Sequence, residues 1–288
     1  MIAATLYGGL GNQMFIYATV RATSLRNKTS MAFNLKQGFK DDIQFHRFLE
    51  LNHFQLELPQ SSIATFDVPL GKYIRFVSRK LGFNLLKPSM RFIQERKAQR
   101  DDIIKARNAF LEGYLSYESY FADYADVIRR DFTVKERYLT QPVMEELSSI
   151  KSYHRPIVMI GIRRYQECAK SSAIPPGGAA ETPAYFKNAM EKIAEETVNP
   201  VFWVFSQQQE WFRENVDDGT YDVVYAKPKE GVDSAIEDLY LMMQCDHFII
   251  TKSTYYWWAA WLSKKTNKMV ICPAIMKKGG CKEWVYID

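Results

Sequence analysis

Two adjacent arginines, Arg163 and Arg164, follow the apolar run Pro156-Ile157-Val158-Met159-Ile160-Gly161-Ile162. A continuous β-branched run of this kind reads as a parallel strand buried on both faces, so the two guanidiniums fall where the strand ends. Ligands of open α/β sheets bind at that carboxyl end, and the guanidinium fork matches phosphate oxygens. Two readings are open from the pattern: a phosphate or diphosphate clamp, or strand-end residues paired with surface carboxylates. A second group, Thr251-Lys252-Ser253-Thr254, opens a helical segment. Hydroxyls and N–H groups at a helix N-terminus form an anion site, although Ser253 and Thr254, taken alone, read first as simple caps. A third, Ser206-Gln207, follows the apolar run 201–205. Near the start, Tyr7-Gly8-Gly9-Leu10-Gly11-Asn12-Gln13 is a glycine loop between a strand and a helix. It matches neither GxGxxG nor a P-loop, and reads as a backbone approach to a ligand or as a packing turn.

The elements that must position these residues alternate. Residues 2–6 read as a strand and 14–26 as a helix, with Phe15, Ala18 and Ala22 on one face. Residues 45–97 give short mixed segments, with helices more evident than strands. Residues 110–115 read as a strand, 120–130 and 142–151 as helices. In the second half, strands at 156–163, 201–205, 222–225, 247–250 and 269–272 are separated by helices. One helix begins at Thr182-Pro183, with threonine as cap and proline at the first helical position. The alternation predicts βαβ crossovers and parallel sheets. The expected architecture is α/β with two Rossmann-like domains facing across a cleft, divided as residues 1–150 and 151–288.

Composition sets outer bounds. The chain has 288 residues, 47% hydrophobic and 14% aromatic, enough for one large or two moderate cores. A net charge of +5 with dispersed basic residues, clustered only at 75–80 and 91–107, does not suggest nucleic acid. Cys168, Cys245, Cys272 and Cys281 form no CxxC, and the four histidines form no zinc pattern. The acidic pairs Asp41-Asp42, Asp101-Asp102 and Asp217-Asp218 include no Asp-x-Asp, so no metal site is expected. No apolar stretch reaches the ~18–20 residues that span a bilayer, and the N-terminus lacks a signal-peptide pattern. A cytoplasmic location is expected.

Taken together, the blocks resemble the bacterial α-1,2-fucosyltransferases of glycosyltransferase family 11. The resemblance rests on Gly8-Gly9-Leu10-Gly11-Asn12-Gln13-Met14-Phe15 with Tyr17-Ala18, and on Leu111-Glu112-Gly113-Tyr114 with Glu118 and Tyr120-Phe121. Its most specific block is Tyr240-Leu241-Met242, Cys245, Ile249-Ile250, Ser253-Thr254, Trp257-Trp258 and Ala260-Trp261-Leu262. It runs from residue 6 to about 273. It implies a GT-B-like fold and an inverting, GDP-fucose-dependent transfer to a galactoside or other glycan hydroxyl, without a metal or other cofactor. The implied donor site comprises Gly11, Asn12, Gln13, Arg163, Arg164, Ser206, Gln207, Ser253 and Thr254. Arg163 and Arg164 would stabilise the leaving diphosphate, and Glu167, or else Glu118, would accept the acceptor proton. The implied acceptor is an oligosaccharide or a lipid-linked glycan, which leaves peripheral attachment to an inner membrane open.

The chain also departs from that family pattern. Where the family reads His-x-Arg-Arg-x-Asp, this chain has Gly161-Ile162-Arg163-Arg164-Tyr165-Gln166. Where it reads Phe-Ser-Asp-Asp, this chain has Phe205-Ser206-Gln207-Gln208. The departures keep open a different GDP-sugar or linkage, and a degenerate domain that binds nucleotide or glycan without catalysis.

Overall fold

The computed structural model describes residues 1–40, 42, 45–163 and 182–288. The chain divides into two compact units, Met1–Lys135 and Glu136–Asp288. Each is an α/β unit built on a mainly parallel sheet, as the alternation of apolar runs and helical segments predicts.

The first unit carries β1 (Ile2–Thr5), β2 (Met31–Asn34), β3 (Phe83–Asn84), β4 (Lys87–Gln94) and β5 (Ala109–Glu112). Their order is β2-β1-β5-β4-β3, parallel except for the antiparallel β3–β4 pair. Its helices are α1 (Leu10–Arg26), α2 (Gln37–Lys40), α3 (Ser62–Thr65), α4 (Gly71–Leu81), α5 (Arg100–Ile104) and α6 (Ala125–Asp131). β1 is buried along its whole length, as befits a central parallel strand. α1 is buried on nearly every side, and α6 is tied to it through Asp131, which accepts from Tyr17 Oη at 2.9 Å and Arg21 Nε at 3.0 Å.

The second unit carries β6 (Ile157–Gly161), β7 (Val201–Phe205), β8 (Asp222–Tyr225), β9 (His247–Ile250), β10 (Val270–Pro273) and β11 (Val285–Ile287). Its helices are α7 (Gln141–Lys151), α8 (Pro183–Glu196), α9 (Gln209–Asn215), α10 (Ser234–Met242) and α11 (Thr254–Leu262). All strand pairs are parallel, in the order β11-β10-β9-β6-β7-β8. The chain therefore runs outward from β6 through β7 to β8, then crosses to β9 and runs outward the other way. The place where the order reverses lies between β6 and β9, and the carboxyl side of such a switch point is where open α/β sheets bind ligands. α8 begins as its sequence requires: Thr182 Oγ1 accepts from Tyr185 N at 3.2 Å, with Pro183 in the first turn. α7 packs with the second unit, where its Glu146 accepts from Lys227 N and pairs with Lys229 Nζ, both at 2.9 Å.

Candidate active site

The three second-unit groups singled out in the sequence all emerge at one sheet edge. Gly161 at the end of β6 is in register with Phe205 of β7 on one side and Ile250 of β9 on the other. Ser206 and Thr251 follow Phe205 and Ile250 directly and Arg163 follows Gly161 after Ile162, so the ends of the strands set their spacing. Thr251 joins the two sides of the switch point. Its Oγ1 donates to the Gly161 carbonyl at 3.1 Å and accepts from Arg163 N at 3.2 Å, while its own N–H donates to the same carbonyl at 3.2 Å. A fully buried threonine thus fixes the backbone from which the exposed Arg163 side chain departs. Arg164, Gln166 and Glu167 lie outside the described residues.

Ser253 occupies the N-cap position of α11, in extended conformation. Its carbonyl accepts the first helical bond from Trp257 N at 3.0 Å, but its side chain makes no cap bond. Ser253 Oγ is buried, with the residue 6% exposed, and has no hydrogen-bond partner among the described residues. A buried hydroxyl left in that condition costs about 1–3 kcal/mol. Simple capping therefore does not account for this serine. The first turn of α11 holds no acidic residue, so the positive end of the helix dipole is uncompensated there. An anion seated at this end would satisfy the hydroxyl and meet Thr254 in the same turn. Ser206, half-buried, uses its Oγ to accept from Gln208 N at 2.8 Å, which turns the chain after β7 and leaves Gln207 exposed.

Gly161 stands where the family pattern has histidine, and its surroundings explain the change. A Cβ built there would lie 2.5 Å from Cγ and 2.6 Å from Cδ1 of Tyr256. The tyrosine ring, carried on the first turn of α11, already fills the place of a side chain at 161. Its hydroxyl is shared between the Ile162 carbonyl at 3.0 Å and the Phe205 carbonyl at 3.1 Å. Tyr256 thereby ties the helix that presents Ser253 to the ends of β6 and β7. The aromatic series 255–261 reads in the sequence mainly as core; at Tyr256 it is core with a polar task. The sequence marked Thr251 only as a member of the group 251–254 and Tyr256 only as core; it showed neither one's task in tying the strand ends.

In the first unit, the loop after β1 is shorter than expected because α1 starts at Leu10, capped by the backbone of Gly9 without a side-chain bond. Gly11, Asn12 and Gln13 therefore sit in the first turn of the helix. Gly8 has φ +75°, so its conformation favours glycine, and a Cβ on it would come 2.9 Å from Asn12 Nδ2 and displace that amide. The Asn12 amide is half-buried and makes no side-chain hydrogen bond among the described residues. Gln13 is different. It is fully buried, its Nε2 donates to the carbonyls of Gly8 and Phe48 at 2.9 Å each, and its Oε1 accepts from Glu50 N at 3.0 Å. Those bonds use both amide N–H donors and one lone pair of Oε1, so Gln13 shapes the loop from behind, whereas the sequence expectation was a direct ligand contact.

At the same sheet edge, Glu95 follows β4 and holds the loop after β5, accepting from Leu115 N at 2.8 Å. Gly113, at φ +154°, leaves room for that carboxylate, since a Cβ there would meet Glu95 Oε2. Burial raises the Glu95 pKa, with the loop N–H groups opposing it. Tyr7 and Tyr114 meet with ring centroids 4.9 Å apart, and burial pushes the Tyr7 hydroxyl up. Glu118, the other carboxylate read as a proton acceptor, is half-buried in the turn Glu118–Tyr120. Among the described residues, no three His, Cys, Asp or Glu side chains gather closely enough to hold a metal ion.

Comparison with known proteins agrees with the architecture. The family model described as "Glycosyl transferase family 11" matches residues 1–288. An Escherichia coli "Alpha-1,2-colitosyltransferase" is 26% identical over 279 residues, covering 95% of this chain and 91% of that protein. A Lagothrix lagotricha "Galactoside alpha-(1,2)-fucosyltransferase 1" is 31% identical over 156 residues, covering 53% of this chain and 42% of its own length. This chain thus matches less than half the length of the latter relative. Among solved structures, an Arabidopsis thaliana FUT1 variant in complex with GDP superposes with a TM-score of 0.52 at 12% identity, covering 94% of this chain and 70% of that one. That likeness is one of fold, a GT-B-like α/β arrangement.

Proposed function

The chain belongs to glycosyl transferase family 11, and on that premise we propose that it transfers fucose from GDP-fucose to a galactoside hydroxyl, forming an α-1,2 linkage with inversion. The observation that carries this reading is the orphaned, buried Ser253 Oγ at the N-terminus of α11, just past β9, whose last residue Ile250 is in register with Gly161 two residues before Arg163. An oxygen-rich dianion such as a diphosphate supplies what that hydroxyl lacks. In the reaction, the acceptor oxygen attacks the anomeric carbon and the bond from that carbon to the β-phosphate oxygen breaks. The electron pair leaves with GDP, and the proton passes from the acceptor hydroxyl to a base. Arg163, Arg164, Ser253 and Thr254 neutralise the charge that grows on the diphosphate, where preorganised donors are worth most. Glu167 is the base in this reading. Ser206 and Gln207 border the nucleotide, with Gln207 replacing a carboxylate of the family pattern. The first turn of α1 at Gly11 and Asn12 offers an amide to a sugar or phosphate oxygen.

The second unit is the donor-binding part in this proposal and the first unit takes the acceptor, an oligosaccharide or a lipid-linked glycan. The protein works in the cytoplasm, peripheral to the inner membrane, and needs no metal, since arginines and a helix terminus do the neutralising. Activity lost in chelator and restored by a divalent cation would overturn that last point.

A second donor is favoured by one observation. The Tyr256 ring occupies the place of the family histidine, and Gln207 that of a family aspartate, so the donor side has been rebuilt. A relative named as a colitosyltransferase aligns along nearly the whole chain. Colitose is fucose without its 3-hydroxyl, so GDP-colitose is the alternative donor.

Calorimetric titration with GDP, followed by turnover assays with both GDP-sugars over a panel of galactosides, tests the proposal. Arg163→Ala should lose roughly 3–4 kcal/mol of transition-state stabilisation, seen in kcat/KM. Absence of GDP binding sinks the donor reading. Tight GDP binding without turnover on any acceptor would make the chain a nucleotide-binding module instead.

A further inference from the structure

The helix α4 is amphipathic but turned inside out. A surface helix ordinarily lays its apolar stripe on the core. Here the inward side consists of Gly71 and Ser78, the half-buried Ile74, and two arginines. Arg75 Nε and Arg79 Nε reach inward to Glu112 at 3.2 and 2.7 Å, and Arg75 Nη1 also reaches Thr5 Oγ1 at 3.3 Å. The apolar stripe is left facing outward: Tyr73 is 71% exposed, Phe76 51% and Leu81 51%, with Val77 beside them. Leu70, just before the helix, is equally exposed, and Ile63 of α3 extends the patch. These elements are adjacent, because Leu85 N donates to Ser78 Oγ at 3.0 Å and Asn84 Nδ2 donates to the Ile63 carbonyl at 3.1 Å. A contiguous apolar patch on this scale marks an interaction surface.

Charge identifies the partner. Residues 61–94 contain six basic side chains (Lys72, Arg75, Arg79, Lys80, Lys87, Arg91) against Asp67 alone, so six minus one gives the +5 that equals the net charge of the whole chain. Glu112 offsets part of this, and Arg91 lies 3.5 Å from Asp102. Lys72 and Lys80 remain exposed beside the apolar stripe, with Lys80 Nζ 4.6 Å from the Phe76 ring centroid. A second copy of the chain would bring these lysines against their own counterparts, which like charge disfavours. Apolar and aromatic side chains flanked by cations on one helix face are what an interfacial helix presents to an anionic bilayer.

We propose that the outward face of α4, with Leu70 and Ile63, is a docking surface for an anionic phospholipid membrane. Tyr73, Phe76, Val77 and Leu81 enter the headgroup boundary, and Lys72 and Lys80 lie against the phosphates. No helix among the described residues is long and apolar enough to cross a membrane, so the contact is one of lying on the surface. The proposal names the surface for the peripheral location given above and stands apart from the donor reading.

The test is flotation of the full chain with vesicles of phosphatidylcholine alone and of equimolar phosphatidylcholine and phosphatidylglycerol, with GDP titrated separately. The chain should float with the mixed vesicles only, less so as salt rises. The pair Tyr73→Ser and Phe76→Ser should weaken partition about tenfold or more. Lys80→Glu should weaken it at least about fivefold, and neither change should alter GDP affinity. These positions are exposed, so circular dichroism should be unchanged, and Lys80→Glu supplies an independent reading if the serine pair misfolds. A chain that binds GDP but ignores anionic vesicles overturns the surface and leaves the donor site standing. Partition unaffected by either change, or a dimer dispersed by Phe76→Ser, overturns it as well.

Discussion

Replacing Gly161 tests whether the strand ends are held by the Tyr256 ring. In Gly161→Ala the new Cβ would sit 2.5 Å from Tyr256 Cγ, a separation at which something must move. The ring cannot swing away without giving up the hydroxyl contacts to the Ile162 and Phe205 carbonyls at 3.0 and 3.1 Å. Losing one net hydrogen bond costs about 1 kcal/mol, and overpacking a tight site costs about 1–3 kcal/mol. The expected destabilisation is therefore about 2–4 kcal/mol. In a Tyr256→Ala background the same change meets open space and should cost less than about 1 kcal/mol, since Gly→Ala also restrains the unfolded chain. The two positions should couple by about 1–3 kcal/mol in a double-mutant cycle. Urea unfolding followed by tryptophan fluorescence is well suited, because all six tryptophans lie between residues 203 and 284 and report on the second unit. Gly161→His, which restores the family residue, should behave like Gly161→Ala with a larger penalty, relieved in the same background. An equal cost in both backgrounds, or a Gly161→Ala protein as stable as the parent, would refute the reasoning.

Two further outcomes follow from the second unit. Ser253→Ala removes a buried hydroxyl that has no partner, so stability without ligand should hold or rise slightly, while GDP affinity falls roughly five- to tenfold; a loss of stability in thermal unfolding would mark the hydroxyl as structural. Lys229→Met strips the cation from Glu146 and Asp238, each 2.9 Å away, with Lys229 and Glu146 nearly buried. It should cost about 3–5 kcal/mol near neutral pH. Burial already raises the Asp238 pKa, and loss of Lys229 raises it further. A carboxyl whose folded pKa lies above its unfolded value gives its stability below the unfolded pKa and loses it as pH rises through the folded one. The gap between variant and parent should accordingly narrow in acid; a gap constant with pH in urea titrations would contradict this.

What the sequence disclosed follows physical rules. β6, β7 and β9 are buried on both faces, so each is a continuous apolar run that could be read directly, and Thr182-Pro183 announces α8 through its cap. β4 escaped because Lys87-Pro88-Ser89 and Arg91 interrupt its apolar residues, only the distal half being buried. β11 has three half-buried residues, too few to show a period. α1 was placed four residues late because the backbone of Gly9, rather than a Ser, Thr, Asp or Asn side chain, precedes it. Residue type and position at a strand or helix end are enough to single out Arg163 and Ser253 as candidates, and the structure places both at those ends. The burial of Gln13 and the bonds that tie its amide to the loop were not legible, because no local pattern reveals burial. The tasks of Thr251 and Tyr256 were hidden because their bonds run across the sheet, between residues some ninety positions apart.

The Gly161–Tyr256 pair also bears on how the two departures from the family pattern should be read. A glycine in place of a polar strand-end residue, taken alone, suggests loss of function. Yet the vacated volume is filled by a ring whose hydroxyl binds two strand ends, and the neighbouring Thr251 still orients Arg163. Decay of a site leaves cavities and unpaired groups where side chains were lost; among the described residues at the ends of β6, β7 and β9, the orphaned side-chain atom is Ser253 Oγ, at the helix end where an anion would satisfy it. On the donor-site proposal, a filled position at Gly161 beside an unsatisfied helix terminus argues for altered sugar recognition over loss of nucleotide binding. Comparing GDP-fucose with GDP-colitose therefore asks a sharper question than assaying either alone. Equal GDP affinity with unequal turnover of the two sugars would place the change in sugar contacts, whereas weak GDP binding would place it in the clamp.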